Sequence, residues 1–420
     1  MTSARMDRRR FLKLAGASAG LAAAHSILPS RAWASGEIPI RVGAMLPTGA
    51  SYAGLTDSLR AGLQMGFAHA AEGPPPIRTS WSERAVDRGY GGAFGAAREL
   101  LDEDVDVVVA GVTSPVAHML TPMFEERGVP LVVAGVGGHL VRPADRSDLV
   151  LHNSLLYWRA SYAAGSWSAS NLGTTAIVAG SFADTGYDTV YAFRQGFASA
   201  GGSVLGTWVT HELPGASGLP ALYDAISAAQ PSVVYGVYSG SAGVEFVRGY
   251  AAAGSKRIPL VVGGLAAEDY LLPSVGRSAL GMKSVASWSR SRATRRNQEF
   301  VDAFAARTGR SADPFAALGY DTALLVAEGA RRALASGADI RDLIAALQGV
   351  RLTGPRGRLT VDPVTNSVTG PLSIREVRKS PSGPVNVEIG PVQAVRTIPP
   401  AMGDLLLEPA SGYLNECLCA

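Results

Sequence analysis

The chain has 420 residues, 47% of them hydrophobic and 17% charged, with a formal net charge of +3. That length is enough for two domains with cores of their own, and the ordinary globular composition excludes a low-complexity chain. Residues 1–34 hold a net charge of +5, which leaves −2 on the remainder, so the basic balance is not the footprint of a nucleic-acid-binding protein.

The first segment begins with Arg8-Arg9-Arg10-Phe11-Leu12-Lys13, continues through an Ala- and Gly-rich stretch from Leu14 to Leu28, and ends on Ala32-Trp33-Ala34. The apolar middle is too short to span a bilayer. A basic start, a weakly apolar centre and a small-residue end resemble a twin-arginine export signal over residues 1–34, cleaved near Ser35. The expectation is a protein exported to the periplasm after folding. Gly16-Ala17-Ser18-Ala19-Gly20 matches a nucleophile-elbow pattern, but it lies in the segment to be removed and no strand precedes it, so it carries no catalytic expectation.

Beyond the signal, strand-like and helix-like segments alternate. "IPIRVGAML" (38–46) is apolar and β-branched, and Leu55, Leu59 and Leu63 fall on one face of a helix that follows. "PIRTSWS" and "GGAFGAARELLDE" give the next strand and helix. "VDVVVAG" and "VPLVVAG" are short and continuously apolar, as strands covered on both faces should be. After Asp148 the pattern restarts with "TTAIVAG", "YDTVYAFRQGFASAGG", "SVLGTWVTHE", "LPALYDAISAAQ", "PSVVYGVYSG", "VEFVRGYAAAG" and "IPLVVGG". A doubled βαβα pattern predicts two doubly wound parallel-sheet α/β domains. A long helical block, Thr294 to Gly349, and a Pro- and Gly-rich tail with the short strands "GRLTV", "PLSIREV" and "VNVEI" complete the chain.

In such sheets ligands sit outside the carboxyl ends of the strands. One strand end stands out: the apolar run Val105 to Gly111 stops at Thr113-Ser114-Pro115. Pro is preorganised for a first helical position and Ser is a good N-cap, so a capped helix accounts for the turn. The same turn also suits an anion, because free N–H groups and the Ser114 hydroxyl would stand at the positive end of a helix.

The stretch "AGVTSPVAHMLTPMFEERGVPLVVAG" resembles the periplasmic solute-binding proteins of branched-chain amino acid ABC transporters, a family that includes leucine/isoleucine/valine-, amide- and urea-binding members. "IRVGAMLPTGASYAG", "AIVAGSFADTGYDTVYAFRQGFASAGGSVLG", "VVYGVYSGSAGVEFVRGYAAAG", "ALGYDTALLVAEGARRA" and "VDPVTNSVTGPLSIREV" fit the same family in order and spacing. The resemblance implies the type I periplasmic binding protein fold: two doubly wound parallel-sheet α/β lobes joined by a three-crossing hinge, near Leu155, near Val285 and near residues 350–360. Lobe one would comprise residues 37–155 plus 286–355; lobe two, 156–285 plus 356–420 with the C-terminal tail. It also implies a non-enzymatic substrate-binding component without cofactor. Such a component would capture a small polar solute for permease subunits in the inner membrane.

The family's carboxylate-binding Ser corresponds to Ser114, its first-loop aromatic to Tyr52 and its strand-end Tyr in lobe two to Tyr238. After the fourth strand this chain has Gly137, Gly138 and His139, with Gly138 at the place of a Thr that helps hold the α-amino group. The family's acidic partner of the α-ammonium has no match in place; Glu268 and Asp269 come a few residues late. The lobe-two loop carries Asp184 and Thr185 before Gly186, with Tyr187 after it. Tyr157 and Trp158 begin a helix at the first crossing, either as hinge packing or as an aromatic wall for the ligand. A buried ammonium without a carboxylate costs several kcal/mol. Either Glu268, Asp269 or Asp184 therefore moves in, or the ligand has no α-ammonium. That shifts weight from leucine-like amino acids toward amides, urea and organic or aromatic acids.

Other constellations are weaker. His118 and His139 lack the spacing of a metal site. Cys417 and Cys419 form a C-x-C, a spacing poorly suited to a mutual disulfide. A ligand sensor of the same fold remains an alternative, and so does a periplasmic amide or ester hydrolase using Ser114 with His118 or His139.

Overall fold

The computed structural model describes residues 36–393 apart from 49–52, 87–89, 142, 183, 185–187, 211–217 and 264. The export signal, Tyr52, Thr185, Tyr187, Cys417 and Cys419 therefore lie outside the described residues.

Strands and helices alternate from the start: β1 Ile38–Pro47, α1 Ala53–Ala71, β2 Ile77–Val86, α2 Tyr90–Asp102, β3 Val107–Ala110, α3 Ser114–Arg127, β4 Leu131–Gly135 and β5 Val150–Ser154. After α4, Tyr157–Asn171, the series resumes as β6 Thr175–Ser181, α5 Thr189–Ser199, β7 Ser203–Thr210, α6 Leu219–Ala229, β8 Val233–Val237, α7 Gly240–Ala252, β9 Leu260–Gly263 and β10 Lys283–Ala286. Two long helices follow, α8 Arg295–Thr308 and α9 Pro314–Ala335, and then a single helical turn, Leu343–Ala346. The chain then closes with β11 Arg351–Gly354, β12 Gly357–Asp362, β13 Ser367–Thr369, β14 Leu372–Ser380 and β15 Gly383–Val392.

These strands make two sheets, of order β11-β12-β13-β5-β4-β3-β1-β2 and β15-β14-β10-β9-β8-β6-β7. The pairings among β1 to β5 and among β6 to β10 are parallel, as the doubled pattern predicts. Among β1 to β5 the order reverses once, between β3 and β1, and among β6 to β10 once, between β6 and β8. Those switch points are where an open α/β sheet leaves a crevice.

The continuous apolar strands are explained by what lies on either face. Val107 and Val109 pack with Leu59, Leu63 and Phe67 of α1 and with Leu325 and Val326 of α9. Val108 and Ala110 point the other way, to Leu100, Leu120 and Phe124. With a strand period of two, both sets must be apolar. In lobe two, Val234 joins Leu222 and Phe246, whereas Val233, Tyr235 and Val237 join Phe193 and Phe197. Helices α4 and α5 cross at Gly165 and Gly196: a Cβ on Gly196 would stand 1.9 Å from the Tyr162 carbonyl oxygen, so only glycine permits this approach.

The third crossing departs from expectation. Strands β12 and β13 belong to the lobe-one sheet, β13 pairing with β5, so residues 356–369 lie in lobe one rather than lobe two. The chain changes lobe between Thr369 and Leu372, not near 350–360. A hydrophobic pattern of period two specifies a strand but not which sheet receives it.

Candidate ligand-binding cleft

Helix α3 begins one residue earlier than the sequence predicts. Thr113, extended at φ −78° and ψ 159°, is the N-cap, and Ser114 is the first helical residue. The Thr113 side chain makes no capping bond. The first turn of α3 thus lacks the side-chain acceptor that normally satisfies its N–H groups. Ser114 is half-buried; His118, on the same helix, is exposed.

The loop after β4 is fixed by the hinge. Backbone N–H groups of Tyr157 and Trp158 donate to the carbonyls of Val136 and Gly137 at 3.1 and 2.8 Å, so this loop receives the start of α4. Gly137 has φ +70°, and a Cβ there would stand 2.3 Å from Ser154 Oγ, which explains the glycine. Gly138 is buried behind it. His139 then reaches the other lobe: its Nδ1 lies 3.0 Å from Oδ2 of Asp188, the N-cap of α5. Leu140 packs against Trp158, Tyr162 and Ala192. Tyr157 is half-buried and Trp158 buried, the latter stacked on Tyr162 with ring centroids 5.8 Å apart.

Ser114, Gly137 and His139 share a cavity of about 350 Å³ with Leu156, Trp158 and Arg159 at the start of α4. It is also lined by Val133, His152, Ser154 and Val368 of β4, β5 and β13, and by Arg159, Asp362 and Thr365. Burial holds the His152 imidazole down to about 4, so it is neutral at physiological pH.

Tyr238 lies elsewhere. Its ring is 1% exposed and stacks on Phe246 at 4.2 Å, and its hydroxyl accepts a hydrogen bond from Thr210 Oγ1 at 3.2 Å. The strand-end position was legible, but the ring belongs to the lobe-two core.

The three carboxylates considered for an α-ammonium are all engaged by protein groups. Glu268, 3% exposed, accepts from Arg375 Nη2 at 3.0 Å and Nη1 at 3.3 Å. Asp269 accepts from the Asn386 backbone and side-chain amides at 3.1 and 2.8 Å and lies 3.3 Å from Arg290 Nε. Asp184 accepts from the backbone N–H and hydroxyl of Ser239, at 2.9 and 2.7 Å, at the start of α7. Burial pushes the Glu268 carboxyl up, and Arg375 opposes that shift.

Sequence reasoning missed the arginines of the hinge. Arg356, 1% exposed, donates to Asp321 at 2.6 Å and to the Asn153 side chain and Ser154 carbonyl. Arg292 donates to the Arg356 carbonyl at 2.6 Å and to Ser287 O and Ser373 Oγ, so it touches two crossings at once. Arg375 reaches Trp288 O as well as Glu268. The available signal was a charged residue inside an apolar strand, Arg375 in "PLSIREV". Among the described residues no group of His, Cys, Asp and Glu side chains could hold a metal ion.

Known proteins share this architecture. A curated relative from Brucella melitensis, a Leu/Ile/Val-binding protein homolog, is 24% identical over 291 residues, covering 68% of this chain and 74% of its own. An ABC transporter substrate-binding protein from Sphaerobacter thermophilus superposes with a TM-score of 0.75 at 24% identity, over 85% of this chain and 98% of the other. A solute-binding protein of an ABC transporter from Rhodopseudomonas palustris, in complex with benzoate, gives 0.71 at 24% identity, over 86% and 99%. The periplasmic binding protein family model matches residues 39–382. With that span matched and both lobes in place, the chain belongs to the periplasmic binding protein family, and it is a solute-binding protein rather than an enzyme.

Proposed function

We propose that this protein captures a small organic or aromatic acid without an α-ammonium group and presents it to the permease subunits of an ABC transporter. The observation that carries this reading is the Glu268–Arg375 pair. To serve an ammonium, Glu268 would have to give up Arg375, and breaking a buried ion pair costs about 3–5 kcal/mol. Asp184 and Asp269 are held by their own partners. A carboxylate needs none of these groups, because the first turn of α3 offers N–H donors and a favourable dipole at Ser114. The benzoate held by the R. palustris neighbour is a ligand of this type.

Calorimetric titration of the mature chain with benzoate, acetate, leucine, acetamide and urea tests the proposal. The expected order places an acid first. Leucine binding more tightly than every acid would sink it.

The route to the periplasm in this reading is twin-arginine export, supported by Arg8-Arg9 and the Ala32-Trp33-Ala34 end of the signal.

A further inference from the structure

The three lysines beyond residue 34, Lys256, Lys283 and Lys379, all stand at one pole of lobe two. Lys256 and Arg257 lie in the turn before β9, and Lys283 is the first residue of β10. Arg378 and Lys379 lie near the end of β14, which runs antiparallel to β10. All are therefore at the amino ends of the parallel strands, whereas the cleft lies at the carboxyl ends.

Contacts tie these segments into one surface. Lys256 Nζ donates to the Arg277 carbonyl at 3.0 Å, and the Leu280 N–H donates to the same carbonyl at 3.3 Å. The Gly281 N–H then donates to the Val377 carbonyl at 2.9 Å. Lys283 and Arg378 both reach Glu376, at 3.0 and 2.8 Å. Lys256, Arg257, Arg277, Arg378 and Lys379 are exposed, and Lys283 is half-buried. Glu376 is the one acidic residue in the stretches that build the pole, 246–267, 271–287 and 376–387. Arg378 and Lys283 hold its carboxyl below the ordinary range, so it stays ionised and offsets one cation. The −2 of residues 35–420 thus divides into +5 here and −7 elsewhere. Asp224 of α6, the helix packed beside the turn before β9, would lower the pole only to +4.

We infer that this pole docks the protein on the anionic phospholipid surface of the membrane that holds the permease, leaving the cleft free to fill and close. The inference draws on the ABC-transporter role above, not on which solute is bound. Anionic headgroups give a membrane a negative surface potential that attracts clustered Lys and Arg. The attraction fades within a Debye length, about 10 Å at 0.1 M salt, so the cations must sit together to act together. The negative remainder of the chain is repelled by the same surface, which turns the molecule pole-first. A membrane suits this pole better than a soluble polyanion does, because delivery to a permease brings the protein to that surface.

The test is co-sedimentation of the mature chain with vesicles of phosphatidylcholine alone or mixed equally with phosphatidylglycerol. At about 0.1 M salt the wild type should bind the anionic vesicles at least roughly tenfold more tightly than the neutral ones. At about 1 M salt, where the Debye length is about 3 Å, the difference should vanish. Lys256→Glu with Arg257→Glu, and Arg378→Glu with Lys379→Glu, should each weaken binding to anionic vesicles roughly thirtyfold or more, the loss of two cations near the surface. Arg307→Glu with Arg310→Glu makes the same change in net charge on exposed residues of lobe one and should leave binding within about threefold. Every substituted residue is exposed, and thermal unfolding like that of the wild type verifies that the fold is kept. Equal binding to both vesicles, or binding to neither, overturns the inference, and so does a lobe-one variant that loses as much as the pole variants. Binding to soluble polyphosphate but not to anionic vesicles assigns the pole to a polyanion and overturns it too. Solute affinity is measured separately by calorimetry, so failure here leaves the acid reading standing.

Discussion

His139 of the lobe-one loop and Asp188 at the start of α5 in lobe two stand 3.0 Å apart, each 15% exposed in its side chain. The pair bridges the two lobes at a place where the family resemblance implied a ligand contact. Together with Leu140 on Trp158 and Tyr162, it makes the loop after β4 a latch between lobes. The glycine at 137 lets the loop lie close to the first crossing, where a Cβ would meet Ser154.

Loss of the latch should favour the open form. A hydrogen bond involving a charged group contributes about 1.5–3 kcal/mol. At the lower end, His139→Ala should shift the closed-to-open ratio by roughly tenfold. Small-angle scattering of the ligand-free protein should then show a larger radius of gyration. A profile identical to wild type would remove the latch from the closing mechanism.

Ser114→Ala now separates binding from folding more sharply than the sequence predicted. Thr113, not Ser114, is the N-cap, and neither side chain caps the helix. Ligand-free stability should therefore change by less than about 0.5 kcal/mol, as for a substitution away from a cap. Affinity for an acid ligand should fall roughly ten- to a hundredfold. An apo destabilisation near that of a lost cap, with affinity intact, would return the turn to a purely structural role.

Arg375→Met should leave Glu268 buried without its cation. The expected loss is about 3–5 kcal/mol in urea unfolding. Adding Glu268→Met should recover most of it, because a pair replaced by apolar groups of similar volume is often near neutral. A single variant as stable as wild type would show that the pair is dispensable.

The pH response follows from His152. Its pKa is lowered to about 4 from an ordinary 6.5, with the His118 charge adding to desolvation and Asp145 opposing. Between those values the unfolded chain binds a proton that the folded chain refuses, so stability is full above pH 6.5 and declines as pH falls toward 4. The decline assigned to this residue is at most about 3 kcal/mol. His152→Phe should flatten thermal stability across that interval, and an unchanged slope would assign it to other groups.

Export supplies the last test. Replacing Arg8 and Arg9 by lysine should leave precursor in the cytoplasm, seen by fractionation. Mature protein reaching the periplasm at the normal rate would point to another route.

Much of the fold was legible in the sequence because local rules and global architecture agree. Apolar runs such as Val107–Ala110 need cover on both faces, and the helices between them fix the parallel order. The strand ends that border the cleft, at Ser114 and after Gly135, followed from the same logic. Tertiary structure decided what those residues touch. Tyr238 was read as a ligand contact, yet its ring is buried and stacks on Phe246 in the lobe-two core. The placement of β12 and β13 depended on an empty edge beside β5, which no local pattern records. The amine half of the site turned on Arg375, more than a hundred residues from Glu268. Sequence fixes which side chains are charged and how often they recur along an element. Whether two buried charges meet depends on non-local packing, and here that packing assigns Glu268 to an arginine of the hinge and leaves Ser114 facing a cavity.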